Sequence, residues 1–343
     1  IEGDKIYPPA DCNHLTGSKP HPDLAFRWTT DEIPAWSLEQ LAGEGATMQL
    51  TTEYPLNSAT PTALKVTLPV QGRVALSNTG FWGINIEKNK SYFLRFNTSN
   101  GNRFDGKATI GADGTELCNR PLALDPDKSW CQYSGELVAA GTDHNARFVI
   151  ELEGKGTLLL DYVSLFPAET FRNRENGLRK DIAETLEAMR PAFVRWPGGC
   201  VVEGITLSNR IKWKETIGDP ATRPGVYDTW GYRTTMGFGY HEFLQYCEDI
   251  GAQAMFVCNA GMSCDGRNGD YYDDKEVEVL IQDALDAIEY ATGDAETTKW
   301  GAERAKNGHP APFTLDYIEV GNENHSAMYA KYYNRFYLSL IHI

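Results

Sequence analysis

At 343 residues the chain is long enough for two domains, each with its own hydrophobic core. Hydrophobic residues at 41% and charged residues at 23% are ordinary globular values, which excludes the disordered class. No apolar run approaches the roughly 18–20 residues that a membrane helix needs, and a net charge of −15 argues against a nucleic-acid partner, because phosphate binding needs an excess of Lys and Arg. The seven cysteines (Cys12, Cys118, Cys131, Cys200, Cys247, Cys258 and Cys264) form no Cys-x-x-Cys pair, and their odd number speaks against a disulfide scaffold. The seven histidines are scattered, so no metal site is expected from spacing. The chain starts at Ile1 without a Met or a signal-like segment, which is silent about targeting; a secreted or periplasmic location is the working expectation.

Residues 1–47 read as an irregular segment punctuated by Pro8, Pro9, Pro20, Pro22 and Pro34. Residues 48–167 show short alternating segments, such as Met48–Thr51, Leu64–Leu68, Tyr92–Phe96 and Ala146–Leu152, split by turn residues. Period-two alternation at this spacing predicts an antiparallel β-sandwich or jelly roll. A turn at Gly154–Thr157 leads to a closing strand, Leu158–Phe166, ended by Pro167.

From residue 168 to 337 the pattern changes to helix and strand in alternation. Leu178, Ile182, Leu186 and Met189 are spaced as on a helix, and Ala192–Trp196 is a strand cut by Pro197-Gly198-Gly199. A helix over His241–Ile250 precedes the strand Ala254–Cys258, which gives way to Asn259-Ala260-Gly261. Asp274–Tyr290 is a long amphipathic helix. The strand Asp316–Val320 ends in Gly321-Asn322-Glu323, and a further helix starts near Ser326. Three such repeats predict parallel βα units, too few to close a barrel.

Each of these strands ends in Gly beside a polar or charged residue: Arg195 before Gly198 and Gly199, Asn259 before Gly261, and Glu323 after Gly321. Glycine at a strand end permits tight turns and close ligand approach, and the carboxyl ends of parallel strands are where ligands bind. Taken singly, Arg195 also reads as an ion-pair partner, Asn259 as a loop cap and Glu323 as a solvated loop acid; three in register favour a pocket.

Glu319-Val320-Gly321-Asn322-Glu323 resembles the acid/base motif of the (β/α)8 retaining glycosidases. Arg195-Trp196-Pro197-Gly198-Gly199-Cys200-Val201-Val202-Glu203-Gly204 and Trp213–Gly218 narrow the resemblance to α-L-arabinofuranosidases of glycoside hydrolase family 51. Trp230-Gly231-Tyr232, Gly237–Phe243 and Val257–Gly261 fit as well, and Gly80–Ile84 and Leu160–Pro167 resemble the carbohydrate-binding-like sandwich such enzymes carry; the resemblance spans about residues 45 to 337. It implies strands two to four of a partial TIM barrel behind a jelly-roll domain. It also implies a double displacement in which two carboxyl groups stand ~5–5.5 Å apart. Glu323 matches the acid/base, whose pKa must rise toward neutrality; Asn322 matches a residue bonding the sugar hydroxyl beside the reacting carbon, and Arg195 one that supports the nucleophile. Asn259 joins them as a substrate-binding candidate, with Gly198 and Gly199 supporting. Glu319, on the same strand face as Glu323 by period-two counting, is expected inside the barrel, paired with a cation and structural. Glu203 reads as a loop acid in preference to a pocket acid, and Cys200 stands where some relatives carry a sugar-contacting Asn.

The first barrel strand of the family pattern would precede Ile1, and the nucleophile belongs past Ile343, so both ends are expected to be truncated. The last six residues, Leu338–Ile343, are also the translation of a transposon end used in sequencing libraries (CTG TCT CTT ATA CAC ATC); native sequence is expected to end at Tyr337. The implied partner is an arabinofuranosyl-substituted polysaccharide or oligosaccharide, with no cofactor or metal, since two carboxylates suffice. The competing readings are another retaining glycosidase of endoglucanase or xylanase type, which shares Asn-Glu but not the Arg195–Cys200 segment, and a non-catalytic carbohydrate-binding protein, which has no use for an acid at that rim.

Overall fold

The computed structural model describes Ile33 and residues 35–341, apart from 81–82, 100–103, 113–114, 124–129 and 228–232. Most of the segment 1–47, the resembling residues Phe81, Trp82 and Trp230-Gly231-Tyr232, and the terminal His342 and Ile343 lie outside the described residues. The chain divides into two compact units, the first ending at Asp181 and the second opening at Ile182.

The first unit is antiparallel throughout. Its strands are β1 (Trp36–Ala42), β2 (Thr47–Thr51), β3 (Ala63–Asn78), β4 (Ile84–Ile86), β5 (Ser91–Ser99), β6 (Phe104–Ala112), β7 (Thr115–Ala123), β8 (Cys131–Val138) and β9 (Asp143–Pro167). The central path runs β1-β3-β9-β5-β8, with β2 on β3, β4 and β6 on β9, and β7 on β6. Alternate residues such as Leu64, Val66 and Leu68 of β3 and Phe148, Ile150 and Leu152 of β9 meet in one apolar core. Two expectations are corrected. β1 lies inside the segment read as irregular, because Trp36 and Leu38 alternate onto that core despite the neighbouring proline. The turn foreseen at Gly154–Thr157 is absent: β9 continues through it as one strand. Gly154 and Gly156, at φ +151° and +128°, let the strand bend, and a bulge between Leu68 and Gly72 of β3, containing Pro69, absorbs the change of register.

The second unit alternates helix and strand: α1 (Lys180–Ala188, across the division), β10 (Phe193–Trp196), the short hairpin β11 (Val226–Tyr227) and β12 (Arg233–Thr234), α2 (Tyr240–Ile250), β13 (Gln253–Cys258), α3 (Asp274–Thr292), α4 (Lys299–Lys306), β14 (Tyr317–Val320) and α5 (Ala327–Leu340). Asp273 caps α3 through Lys275 and Glu276, and Ser326 caps α5 through Tyr329. Strands β10, β13 and β14 form a parallel sheet in that order, with Arg195 level with Met255 and Tyr317. Pleating then sorts the side chains. Trp196, Phe256, Cys258 and Val320 face the helices and join a core built on Tyr240, Phe243, Leu280, Ile281, Tyr290 and Phe336. Arg195, Met255, Val257 and Glu319 occupy the other face. Among the described residues no helix is long and apolar enough to cross a membrane.

Candidate active site

At the carboxyl end of this sheet the polar residues lock together. The guanidinium of Arg195 reaches past β13 and donates from Nε and Nη2 to the two carboxylate oxygens of Glu319, both at 2.6 Å. Nη2 also donates to Asn322 Oδ1 at 2.9 Å. The bonds it donates to Glu319 raise the already high pKa of Arg195. Gly198 makes room for this arrangement: at φ +68°, a Cβ there would stand 2.7 Å from Arg195 Nη1. Gly199 follows at φ +65°. Across the site Gly321, at φ +82°, lets the chain leave β14, and a Cβ would strike Asn324 Oδ1 at 2.3 Å. That oxygen accepts from the Asn322 backbone N–H at 3.1 Å. Asn322 is buried, whereas Glu323 is exposed and held at φ +52°, a backbone region uncommon for residues other than glycine.

A second cluster adjoins the first. Glu203 is 2% exposed and accepts from Asn324 Nδ2 at 2.5 Å and from Asn322 Nδ2 at 3.4 Å. Burial, with the Cys264 thiol adding to it, lifts its carboxyl to about 7 against those two bonds. Cys200 is lowered to about 7, chiefly because the Cys264 thiol hydrogen-bonds to it; the same bond pushes Cys264 up. The loops carrying these groups are tied by Cys264 N–H to Gly204 O at 3.1 Å.

The structure brings Arg195, Glu319, Asn322 and Gly198 into one network and sets Glu323 at its edge. Glu319 has the cation expected for it, and that cation is Arg195. Asn259 takes the loop-holding part that its sequence position also allowed. Its Nδ2 donates to Val202 O and Met262 O, and its Oδ1 accepts from the N–H groups of Gly261 and Met262, so the amide spends its hydrogen bonds on backbone groups. Glu203 is corrected, from loop acid to buried acid beside the rim. Sequence reasoning passed over Asn324, though its place two residues after Asn322 was a signal, and it paired neither Cys200 with Cys264 nor either with Glu203, because nothing in their spacing marks contact.

Comparison with known proteins bears on the family of the chain. The family model described as the alpha-L-arabinofuranosidase 1 domain matches residues 185–342. Alpha-L-arabinofuranosidase 2 of Arabidopsis thaliana is 38% identical over 282 residues, covering 78% of this chain and 39% of that protein. Alpha-L-arabinofuranosidase A of Aspergillus niger is 32% identical over 308 residues, 86% of this chain and 48% of that protein. Among solved structures, the arabinose-bound MgGH51 α-L-arabinofuranosidase matches 91% of this chain and 51% of its own at 32% identity, with a TM-score of 0.81. The chain thus spans about half, or less, of the length of the relatives it matches.

Proposed function

The chain belongs to the α-L-arabinofuranosidases of glycoside hydrolase family 51, and on that premise we propose that it carries the acid/base half of a retaining arabinofuranosidase site. The reaction is release of terminal, non-reducing α-L-arabinofuranosyl groups from hemicellulose or pectin side chains such as arabinoxylan and arabinan. Strands β10, β13 and β14 are read as strands two to four of a (β/α)8 barrel, with the face bearing Arg195 and Glu319 as its interior. The first unit is read as a carbohydrate-binding-like sandwich.

One observation carries the reading: the Arg195–Glu319–Asn322 network that fixes Asn322-Glu323 at the carboxyl end of β14. Glu323 is the proton donor to the leaving oxygen and then the base that activates water. Asn322, pinned by Arg195 and Glu203, offers its remaining amide capacity to the hydroxyl beside the reacting carbon. Arg195 and Glu319 act through Asn322 as positioning residues. By resemblance the nucleophile comes from a strand end later than β14. The 343-residue chain alone is then expected to release no arabinose at an enzymatic rate.

The test is Glu323→Ala in the intact enzyme that contains this chain. Loss of the acid should depress kcat/KM by about 10²–10⁴-fold on arabino-oligosaccharides and least on aryl arabinofuranosides, whose leaving groups need no proton. Equal loss on both classes, or no loss, would refute the assignment.

A further inference from the structure

Two thiols and a carboxylate that take no part in the proposed proton transfers converge beside the rim. Cys200 lies on the short turn Gly199–Val201, Glu203 follows in the same loop, and Cys264 comes from the loop after β13. Their ligating atoms all lie within 4.8 Å of one another. We propose that Cys200, Glu203 and Cys264 form a binding site for a thiophilic divalent cation of the zinc class.

The donor set sets the selectivity. Two thiolates favour zinc-like ions over magnesium or calcium, which take oxygen ligands. Three protein ligands leave the fourth tetrahedral position for water, the arrangement of an open zinc site. With Zn–S of about 2.3 Å and Zn–O of about 2.0–2.2 Å, tetrahedral ligand atoms stand about 3.6–3.8 Å apart, so side-chain rotation of roughly 1 Å closes the site. The backbone is already prepared: Cys264 N–H bonds Gly204 O, and Asn259 Nδ2 bonds Val202 O, tying the two loops together. Asn324 and Asn322 aim the Glu203 carboxylate, as partners behind metal ligands do.

Charge points the same way. Fully ionised, the three groups bring three negative charges together, with Asp265 and Glu323 adding to them and Arg267 the positive side chain that acts on both thiols. A dication offsets that charge. None of the three ligands takes part in the proposed proton transfers, so the metal titration succeeds or fails apart from the acid/base assignment.

The experiment is titration of the 343-residue chain, stripped of metal and kept reduced with a phosphine, first with Co²⁺ and then with Zn²⁺. The wild type should bind one equivalent more than the Cys200→Ser/Cys264→Ser double variant. That equivalent should show a thiolate-to-cobalt charge-transfer band, which Zn²⁺ abolishes. Asn324→Ala keeps all three ligands and should weaken the site about 10–100-fold, and Glu203→Gln should weaken it too. Circular dichroism establishes that each variant is folded. Equal stoichiometry and affinity in wild type and double variant, or a cobalt complex without the thiolate band, would overturn the proposal.

Discussion

Removing Arg195 tests how the rim is held. Arg195→Met deletes a two-pronged ion pair, with both N–O distances 2.6 Å, and the bond to Asn322 Oδ1 at 2.9 Å. Exposed pairs are worth about 0.2–1 kcal/mol, and breaking a fully buried pair costs about 3–5 kcal/mol. Arg195 and Glu319 are 31% and 34% exposed, between those limits, and the paired geometry favours the upper part of the gap. A coupling of about 2 kcal/mol follows for the cycle Arg195→Met, Glu319→Gln and the double variant. Because two units need not unfold together, a global melting curve is the wrong assay. Amide hydrogen exchange on peptides covering β10 and β14 reads the local opening, and about 2 kcal/mol appears there as roughly 30-fold faster exchange in the single variants. The double variant should exchange hardly faster than either single one. A coupling below about 0.5 kcal/mol, the value for independent sites, would show that the ion pair does not hold the rim.

Glu203 gives a pH prediction for the metal-free protein. Its folded pKa of about 7 exceeds the unfolded 4.5, so the native state keeps a proton that the unfolded chain has released. Stability therefore falls as pH rises through 4.5 to 7, by up to about 3 kcal/mol, and Glu203→Gln should remove that slope in the amide-exchange protection of second-unit peptides, corrected for the intrinsic pH dependence of exchange. Parallel pH profiles for wild type and variant would contradict it. Arg304 is fully buried and donates to the carbonyl oxygens of Tyr290, Ala291, Gly293, His309 and Pro310. Arg304→Met strands these acceptors and should destabilise the second unit by about 3–5 kcal/mol, read as lost protection of α3 and α4 amides. Cys200, near 7, should be alkylated by iodoacetamide at pH 7.5 well before Cys247 and Cys258, which burial pushes up to about 12; mass spectrometry of peptides decides, and equal rates would sink the idea.

What the sequence disclosed, it disclosed through period and punctuation. Val194, Trp196, Phe256 and Val320 alternate with Arg195, Met255 and Glu319, and that alternation, cut by glycines, was enough to place three parallel strands and their common rim. Contacts made by chain-distant groups were not readable. Asn259 looks like Asn322 in sequence, each beside a strand-end glycine, yet one spends its amide on backbone groups of two loops and the other faces Arg195 and Glu203. Helix α4 was passed over because it is short and polar, its burial resting on Gly301 and Arg304 in place of an apolar stripe. The continuity of β9 was hidden because Gly154 and Gly156 signal a turn, and only pairing with both halves of β3 shows one strand.

The central claim is that Glu323 is the acid/base of a retaining arabinofuranosidase, and azide rescue of Glu323→Ala tests it most directly. In the intact enzyme, an aryl arabinofuranoside still forms the glycosyl-enzyme, which stalls without a base to activate water. Added azide needs no base, so it should restore turnover and yield α-L-arabinofuranosyl azide, with configuration retained, identifiable by NMR. Turnover insensitive to azide, or a product of inverted configuration, would contradict the account.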